Sequence, residues 1–357
     1  MKGVAPGGTI GIIGGGQLGR MLALAAAQLG YRSHIFAPEA GNCAAEVAND
    51  FTCGAYDDRA ALARFASAVD VATFEFENID ADPLEEVASR VALYPPLAAL
   101  RVGQDRVAEK TFAQSCGGRP ADWMAVASRD DLDQAVRKIG LPAILKTTRF
   151  GYDGKGQFRL KHTADIDPAW VAMGGQPLIL EAMVPFAHEF SLIVARDQAG
   201  TIAFWDAPEN VHSDGILATS TIPATAAIIR EQTPAARGLA RRIAEKLNYV
   251  GVFAIEFFAG RDGPVFNEMA PRVHNSGHWT IEGAVISQFE NHIRCVVGMT
   301  LGATSLTART VRMTNLVGDQ ADDWQALTSD PAAHVHLYNK GEARPGRKMG
   351  HVTHCYR

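Results

Sequence analysis

The chain has 357 residues, of which 47% are hydrophobic and 20% charged, with a formal net charge of −5. That length predicts two or three lobes rather than one core, and the composition is that of a soluble globular enzyme. The acidic balance speaks against a nucleic-acid or membrane-surface binder, and no apolar run approaches the roughly 20 residues of a bilayer span.

The start, M-K-G-V-A-P-G-G, has no apolar stretch of the secretion-signal kind, so a cytoplasmic protein is expected. The first hundred residues alternate short apolar runs with amphipathic ones. Thr9–Ile13, Arg32–Phe36, Val71–Phe76 and Ala92–Tyr94 read as strands, and segments near Gln17–Leu29, Arg59–Ala68 and Pro83–Ala88 as helices. Such alternation predicts a parallel sheet covered on both faces. Leu97–Ser115 reads as mostly helical, and Gly117, Gly118 and Pro120 mark a boundary. A smaller lobe follows to Val184, then longer strands at Phe190–Ala195, Ile202–Asp206, Val250–Phe258 and Val265–Met269, interrupted by a helical stretch, Ala226–Asn248. The last segment is strand-rich, with Val335–Lys340 and a basic turn, Arg344–Lys348. The division expected is 1–119, 120–184, 185–305 and 306–357. Cys43, Cys53, Cys116, Cys295 and Cys355 show no C-x-x-C spacing, which predicts reduced thiols rather than disulfides or a zinc site.

Near the start, Gly14, Gly16 and Gly19 satisfy the dinucleotide fingerprint G-x-G-x-x-G between a strand and a helix. An NAD(P)-binding oxidoreductase is therefore one reading. The register is poor, because the ribose-binding acid should end the second strand, whereas Glu39 lies beyond Ala37 and Pro38. A helix N-terminus can instead bind the single phosphate of a small substrate. In V-A-T-F-E-F-E-N-I, Glu75, Glu77 and Asn78 fall at the carboxyl end of an apolar strand, where ligands of open α/β sheets gather. Alternation places Glu75 and Glu77 on one face, and a ribose- or amine-binding role suits Glu75, with Asn78 assisting.

The richest stretch is A-I-L-K-T-T-R-F-G-Y-D-G-K-G, Ala143 to Gly156. An apolar strand ends in Lys146, and a loop with Gly151, Gly154 and Gly156 carries Lys155. Glycines let backbone N–H groups approach an anion, and lysine supplies a compact charge for phosphate oxygens. The combination reads as a triphosphate clamp. It is not a Walker A loop, because Gly156 stands where the hydroxyl residue should be. A surface hairpin with a glycine tip has the same local signature, so other segments must decide.

Val252–Arg272 supplies the decision. Two apolar runs flank G-R-D-G, a hairpin signal, and a turn centred on Asp262 sets Glu256 opposite Glu268. Opposed side chains have Cβ atoms about 5 Å apart, and two carboxylates that close repel unless one is protonated or a cation lies between them. Hard cations combine a few carboxylates with phosphate oxygens, so the pair reads as a Mg²⁺ site on ATP. The buried run Leu178–Val184 bears Glu181, and edge-strand backbone there could pair with an adenine, while Glu189 could accept from ribose hydroxyls.

These motifs resemble the ATP-grasp superfamily: the lysine strand with G-Y-D-G-K-G, then E-A-M-V, then Glu256 and Glu268. Within it, G-G-G-Q-L-G-R-M, T-F-E-F-E-N, Q-D-R-V-A-E-K, N-E-M-A-P-R-V-H-N-S-G-H-W-T and R-P-G-R-K-M-G-H resemble the N5-carboxyaminoimidazole ribonucleotide synthase family, from about Thr9 to His351. The resemblance implies an α/β ATP-grasp fold with an N-terminal Rossmann-like parallel sheet and a small strand-rich C-terminal appendage. It implies ATP contacts at Arg106, Lys146, Gly151, Tyr152, Asp153, Gly154, Lys155, Gly156, Gln157, Glu181, Val184, Glu189, His212 and Asn267, and Mg²⁺ at Glu256 and Glu268. Many ATP-grasp enzymes place an Asn two residues after the second metal acid. Ala270 stands there in this chain, so fewer protein ligands and more water are expected on the metal.

The implied reaction is the ATP- and bicarbonate-dependent carboxylation of aminoimidazole ribonucleotide through carboxyphosphate, a step of purine biosynthesis. Gln17, Leu18, Glu75, Asn78, Tyr152 and Asp153 would face that ribonucleotide, and Lys340 and Arg347 its phosphate. Arg272, His274 and Asn275 would hold bicarbonate, and the proton acceptor is left open among released phosphate, Asp153 and His274. The partners implied are these small molecules, with a homodimer expected and neither nucleic acid nor membrane. A formate-dependent ribonucleotide transformylase or another carboxylate–amine ligase is the rival within the superfamily. A nucleotide-sensing module is the non-catalytic one, and the intact Lys146, Glu256 and Glu268 argue against it.

Overall fold

The computed structural model describes residues 3–149, 151 and 156–357. The chain opens with strand β1 (Thr9–Ile13), helix α1 (Gln17–Gln28), β2 (Arg32–Ala37), β3 (Asp50–Cys53), α2 (Arg59–Ala66), β4 (Val71–Phe74) and α3 (Ala81–Ala88). The four strands form a parallel sheet in the order β3-β2-β1-β4, with Ile10 beside both Ser33 and Val71. The central strands are buried from Ile10 to Ile13 and from Ser33 to Ala37, as strands covered on both faces are. Strand β3 went unpredicted: D-F-T-C is four residues at a sheet edge, too short for alternation to show. The expected strand Ala92–Tyr94 is reduced to a single bridge between Leu93 and Ala72, since Pro95 and Pro96 end the pairing.

The helical stretch Leu97–Ser115 is broken in two, α4 (Leu97–Gly103) and α5 (Arg106–Ser115). Asp105 caps the second helix by accepting from the N–H groups of Val107 and Ala108, both at 3.0 Å. The break turns Arg106, Glu109 and Lys110 toward the middle of the molecule. The small lobe then contains β5 (Trp123–Val126), α6 (Arg129–Ile139), β6 (Ala143–Thr147), β7 (Gln157–Leu160), α7 (Ile166–Met173) and β8 (Leu178–Ala182). Its antiparallel sheet runs β5-β8-β6-β7, so β8 is interior. The expectation of an adenine paired to a sheet edge here is therefore corrected. Both sides of β8 are taken, and just past its end the Met183 N–H still bonds the Pro142 carbonyl at 3.2 Å, so backbone for a ligand begins only after that group, toward Val184.

The large lobe has β9 (Glu189–Arg196), β10 (Ile202–Phe204), β11 (Glu209–Ser213), β12 (Ile216–Ile222), α8 (Ala227–Lys246), β13 (Gly251–Gly260), β14 (Gly263–Ala270), α9 (Thr280–Gly283) and α10 (Gln288–Val297). The C-terminal elements are β15 (Thr310–Val317), α11 (Trp324–Ser329), β16 (Ala333–Leu337) and β17 (Lys348–Tyr356). Their strands continue the large lobe's sheet, in the order β14-β13-β9-β11-β12-β15-β17-β16 with β10 on β9. That continuity carries the basic segment before β17 round to the N-terminus of α1.

One core joins this sheet to the N-terminal one: Leu18, Met21 and Leu22 of α1 pack with Phe289, Ile293 and Val296 of α10. His292 pins the seam. Its Nε2 meets Thr73 Oγ1 on β4 at 2.8 Å, and its Nδ1 accepts from the Val252 N–H at 3.1 Å. Nδ1 must therefore be unprotonated, with the ring proton on Nε2.

Burial holds the His292 imidazole down to about 3, whereas an exposed imidazole titrates near 6.5. Between those values the unfolded chain binds a proton that the folded chain refuses, so stability falls as pH drops from about 6.5 toward 3. At pH 5 this group alone should cost about 2 kcal/mol relative to pH 8. The urea midpoint measured against pH should fall less steeply in His292→Asn, by close to one proton. An unchanged slope would show that the native ring already carries both protons.

Candidate active site

Three cations converge where the lobes meet. Lys146, on β6, reaches Glu181 Oε2 of β8 at 2.9 Å, and Lys110, on α5, lies 3.4 Å from the other oxygen. Lys110 also donates to the Asn267 carbonyl at 3.1 Å, and it is 1% exposed. Burial alone would raise the Glu181 carboxyl, but Lys110 and Lys146 together hold it down to about 2. Burial lowers the Lys146 ammonium, with Glu181 opposing. Arg106, at the start of α5, bonds Glu268 Oε2 at 3.2 Å and the Gly151 carbonyl at 3.1 Å.

Glu256 and Glu268 are direct cross-strand partners on β13 and β14, but the turn is not centred on Asp262. Gly260 pairs with Gly263, which would shift the register by one, and a bulge at Asn267 restores it. The bulge also presents Asn267 to the cleft. Burial, then the charge of Glu268, pushes Glu256 up to about 7. Glu268 goes the other way: burial opposes ionisation, but Arg106 and Lys146 outweigh it. A pair in which one acid is driven toward protonation by the other is a donor set that a hard dication relieves. Among the described residues no group of three or more His, Cys, Asp or Glu side chains is placed to hold a metal ion. Two carboxylates plus water and phosphate oxygens therefore fit Mg²⁺ better than a closed protein cage.

Beside this pair, Arg272 bonds Glu77 Oε1 at 2.6 Å and the Val273 carbonyl at 3.0 Å. Strand β4 ends at Phe74, so strand alternation does not govern Glu75 and Glu77. Glu75 turns into the glycine loop instead, where its Oε1 accepts from the Gly16 N–H at 2.7 Å. A Cβ at Gly14, whose φ is +123°, would stand 2.5 Å from that carboxylate. The dinucleotide fingerprint is thus filled from within. The expectation of a phosphate on the α1 N-terminus is corrected by the same contact, since an anion of the chain already takes the Gly16 N–H there. Burial raises the Glu75 carboxyl, against the Gly16 hydrogen bond and the charge of Arg272.

Lys340 donates to Gln17 Oε1 at 3.0 Å and to the Lys348 carbonyl at 3.2 Å. Burial and then Arg347 lower its ammonium, while Arg347 itself donates to the Glu342 carbonyl at 3.0 Å. Asn78 is half-buried in a loop that Gln104 holds by the carbonyls on either side, those of Glu77 and Ile79. Leu18 is packed into the core, so only its backbone can meet a ligand.

Two adjoining hollows complete the picture. One is a slot lined by Ile144, Ala182, Met183, Val184, Phe186, Phe258 and Phe266, and also by Lys146, Glu181 and Asn267. The other brings together Arg106, Gly156, Gln157, Glu189, His212, Glu256, Glu268, His274 and Asn275. His212 lies 3.0 Å from Glu189; burial opposes its protonation, but Glu189 and Glu256 raise it. Tyr152, Asp153, Gly154 and Lys155 lie outside the described residues. Lys110, Glu109 and Phe186 went unpredicted. Helical spacing could have found Lys110, which stands four residues after Arg106 on α5.

Three family models tile the chain: Ribonucleotide synthetase preATP-grasp domain over residues 8–104, ATP-grasp domain over 111–289, and Phosphoribosylaminoimidazole carboxylase C-terminal domain over 312–356. An N5-carboxyaminoimidazole ribonucleotide synthase of Brucella melitensis biotype 1 is 50% identical over 351 residues, covering 98% of this chain and 96% of that one. The chain belongs to the N5-carboxyaminoimidazole ribonucleotide synthase family. Among solved family members, the Staphylococcus aureus synthetase complexed with ADP matches at TM-score 0.95 and 34% identity, covering 100% of this chain and 95% of that one. The Aspergillus clavatus synthase in complex with ADP and 5-aminoimidazole ribonucleotide matches at 0.90 and 31%, covering 98% and 94%.

The two lysines on Glu181 should separate stability from turnover. Lys146→Ala removes the cation nearer the cleft and leaves Glu181 paired with Lys110, so ADP formation should fall by roughly 10² or more with little loss of melting temperature. Lys110→Ala empties a sealed position and should cost about 3 kcal/mol of stability. Equal thermal losses in the two variants would contradict that division of labour.

Proposed function

We propose that this chain is an ATP-dependent ligase that carboxylates 5-aminoimidazole ribonucleotide with bicarbonate to N5-carboxyaminoimidazole ribonucleotide, a step of purine biosynthesis. The observation that carries the reading is the facing pair Glu256 and Glu268, set beside Arg272 in a hollow that adjoins the apolar slot. Adenine would lie in the slot against Phe186, Phe258 and the backbone of Met183 and Val184, with Glu189 and His212 at its ribose. Lys146, Arg106 and Lys155 would grip the phosphates, together with the backbone of the glycine-rich segment 151–157. Glu256 and Glu268 would hold Mg²⁺, which when bound neutralises phosphate oxygens.

Bicarbonate is a poor electrophile, so one of its oxygens first bonds the γ-phosphorus while the bond to ADP breaks, giving carboxyphosphate. Such transfers need positioning and charge neutralisation more than covalent help from the protein. Arg272, a five-donor fork already oriented by Glu77, would hold the bicarbonate, with His274 and Asn275 beside it. Both polar atoms of the Asn275 amide are buried without a protein partner, as a group awaiting a ligand would be. Carboxyphosphate then parts into CO₂ and phosphate. The substrate's amine nitrogen bonds the CO₂ carbon and gives up a proton. Glu75, Asn78, Gln17, the Leu18 backbone, Tyr152 and Asp153 would face that substrate, and Lys340 and Arg347 its phosphate. Enclosure matters because carboxyphosphate hydrolyses readily. No helix of the described residues is long and apolar enough to cross a membrane. A homodimer in the cytoplasm is the proposed setting.

ADP release should require ATP, Mg²⁺ and bicarbonate, should rise on adding 5-aminoimidazole ribonucleotide, and should not be supported by formate. Arg272→Ala should keep its nucleotide affinity within a few-fold while losing about 10² or more in bicarbonate-dependent ADP release. Formate-driven turnover would point to the rival ligase reaction instead.

A further inference from the structure

Behind His274 runs a buried line of hydroxyls and an amide that no step above uses. Ser220 Oγ meets Asn210 Oδ1 at 2.8 Å, and Asn210 Nδ2 meets Ser191 Oγ at 3.0 Å. Ser191 Oγ meets Ser276 Oγ at 2.7 Å, and Ser276 Oγ meets His274 Nδ1 at 2.8 Å. The line crosses three neighbouring strands, β12, β11 and β9, and ends in the turn that follows β14. Ser191, Ser220 and Ser276 are wholly buried, and Asn210 is 4% exposed. Four buried polar side chains, three of them inside a sheet, cost stability unless each is satisfied, and here each finds its partner within the line.

The direction of the line is set at one end. The backbone N–H of Ser276 also points at His274 Nδ1, at 3.3 Å. A backbone N–H can only donate, so Nδ1 must accept, and a proton on Nδ1 would face that hydrogen head-on. The Ser276 hydroxyl must then donate to the same Nδ1. Ser276 Oγ is left to accept from Ser191, Ser191 from the Asn210 amide, and Asn210 Oδ1 from Ser220. Every hydrogen in the line is assigned by that single peptide group.

We propose that this relay locks His274 as the Nε2–H tautomer and makes it a hydrogen-bond donor to the carboxyl oxygens of bicarbonate and carboxyphosphate, not the base that takes the amine proton. Nε2 faces the cleft, 3.7 Å from Glu256 Oε1, too far for a hydrogen bond and so available to a ligand. With its proton there, Nε2 has no lone pair to offer. The amine proton leaves by another route, and the phosphate released in the same pocket is basic enough to accept it. Ser276, Ser191, Asn210 and Ser220 are positioning residues: they touch no substrate and act through the ring. The second half of the proposal rests on the carboxylation reading, whereas the tautomer does not.

Two measurements separate these halves. In protein labelled with ¹⁵N-histidine, two-bond proton–nitrogen correlations report the tautomer of each ring, and loss of a signal set in His274→Gln assigns it. The expected pattern for His274 is a protonated Nε2 and an unprotonated Nδ1. The reverse pattern overturns the proposal, whatever the enzyme's activity. In Ser276→Ala the relay loses its last hydroxyl, and bicarbonate-dependent ADP release should fall about tenfold in kcat with the KM for ATP unchanged. Ser276→Thr should restore both the rate and the tautomer pattern. A Ser276→Ala enzyme with wild-type kcat also overturns the proposal. Should that variant fail to fold, the wild-type spectrum decides by itself. If His274 shows the expected tautomer but wild-type protein releases no ADP with bicarbonate, the carboxylation reading fails and the relay stands.

Discussion

Two half-buried carboxylates held face to face repel, and the site is organised around that repulsion. Glu256 and Glu268 cannot both ionise cheaply on adjacent strands, and the fold surrounds them with compensation rather than separating them. Arg106 reaches Glu268 from one side, and Lys146 and Lys110 stand behind it on Glu181. What the chain leaves uncompensated is Glu256, whose carboxyl is pushed up to about 7. A dication would favour its ionised form, and phosphates accompanying such an ion would meet the lysines already in place.

The same logic runs through the neighbouring residues. Glu75 fills a glycine loop that on another chain would cradle a dinucleotide, and Glu77 fixes the guanidinium of Arg272. One acid therefore occupies an anion site while the other fixes a guanidinium in place. Lys340 reaches Gln17 only because β17 extends the large lobe's sheet and brings the preceding turn back to α1. Lys348, at the start of β17, also lines the hollow that holds Glu256 and Glu268, so the C-terminal segment is part of that wall.

Much of this was legible from residue order. Strands β1, β2 and β4 are short apolar runs bounded by glycine and polar residues, and the lysine strand and the facing glutamates follow from strand periodicity. The facing pair came from a partly wrong register, because a turn one half-residue off and a bulge at Asn267 cancel. A bulge leaves no mark on alternation until its partner strand is known. Lys110 was missed for a different reason. Its spacing from Arg106 points to it, but on a helix written as A-E-K-T it reads as an exposed charge, and the broken helix and the approach of Glu181 bury it. The role of Glu75 depended on where β4 ends, and strand ends are set by tertiary contacts rather than by propensity. The hydroxyl line behind His274 joins residues 191, 210, 220 and 276, far apart in the chain, and no local pattern links them.

The most direct test is the Mg²⁺ dependence of nucleotide binding, measured by calorimetry on the wild type and on a variant with both Glu256→Gln and Glu268→Gln. If the facing carboxylates hold the ion, Mg²⁺ tightens ADP binding to the wild type and has little effect on the double variant. Equal tightening in both proteins would place the metal elsewhere and contradict the account.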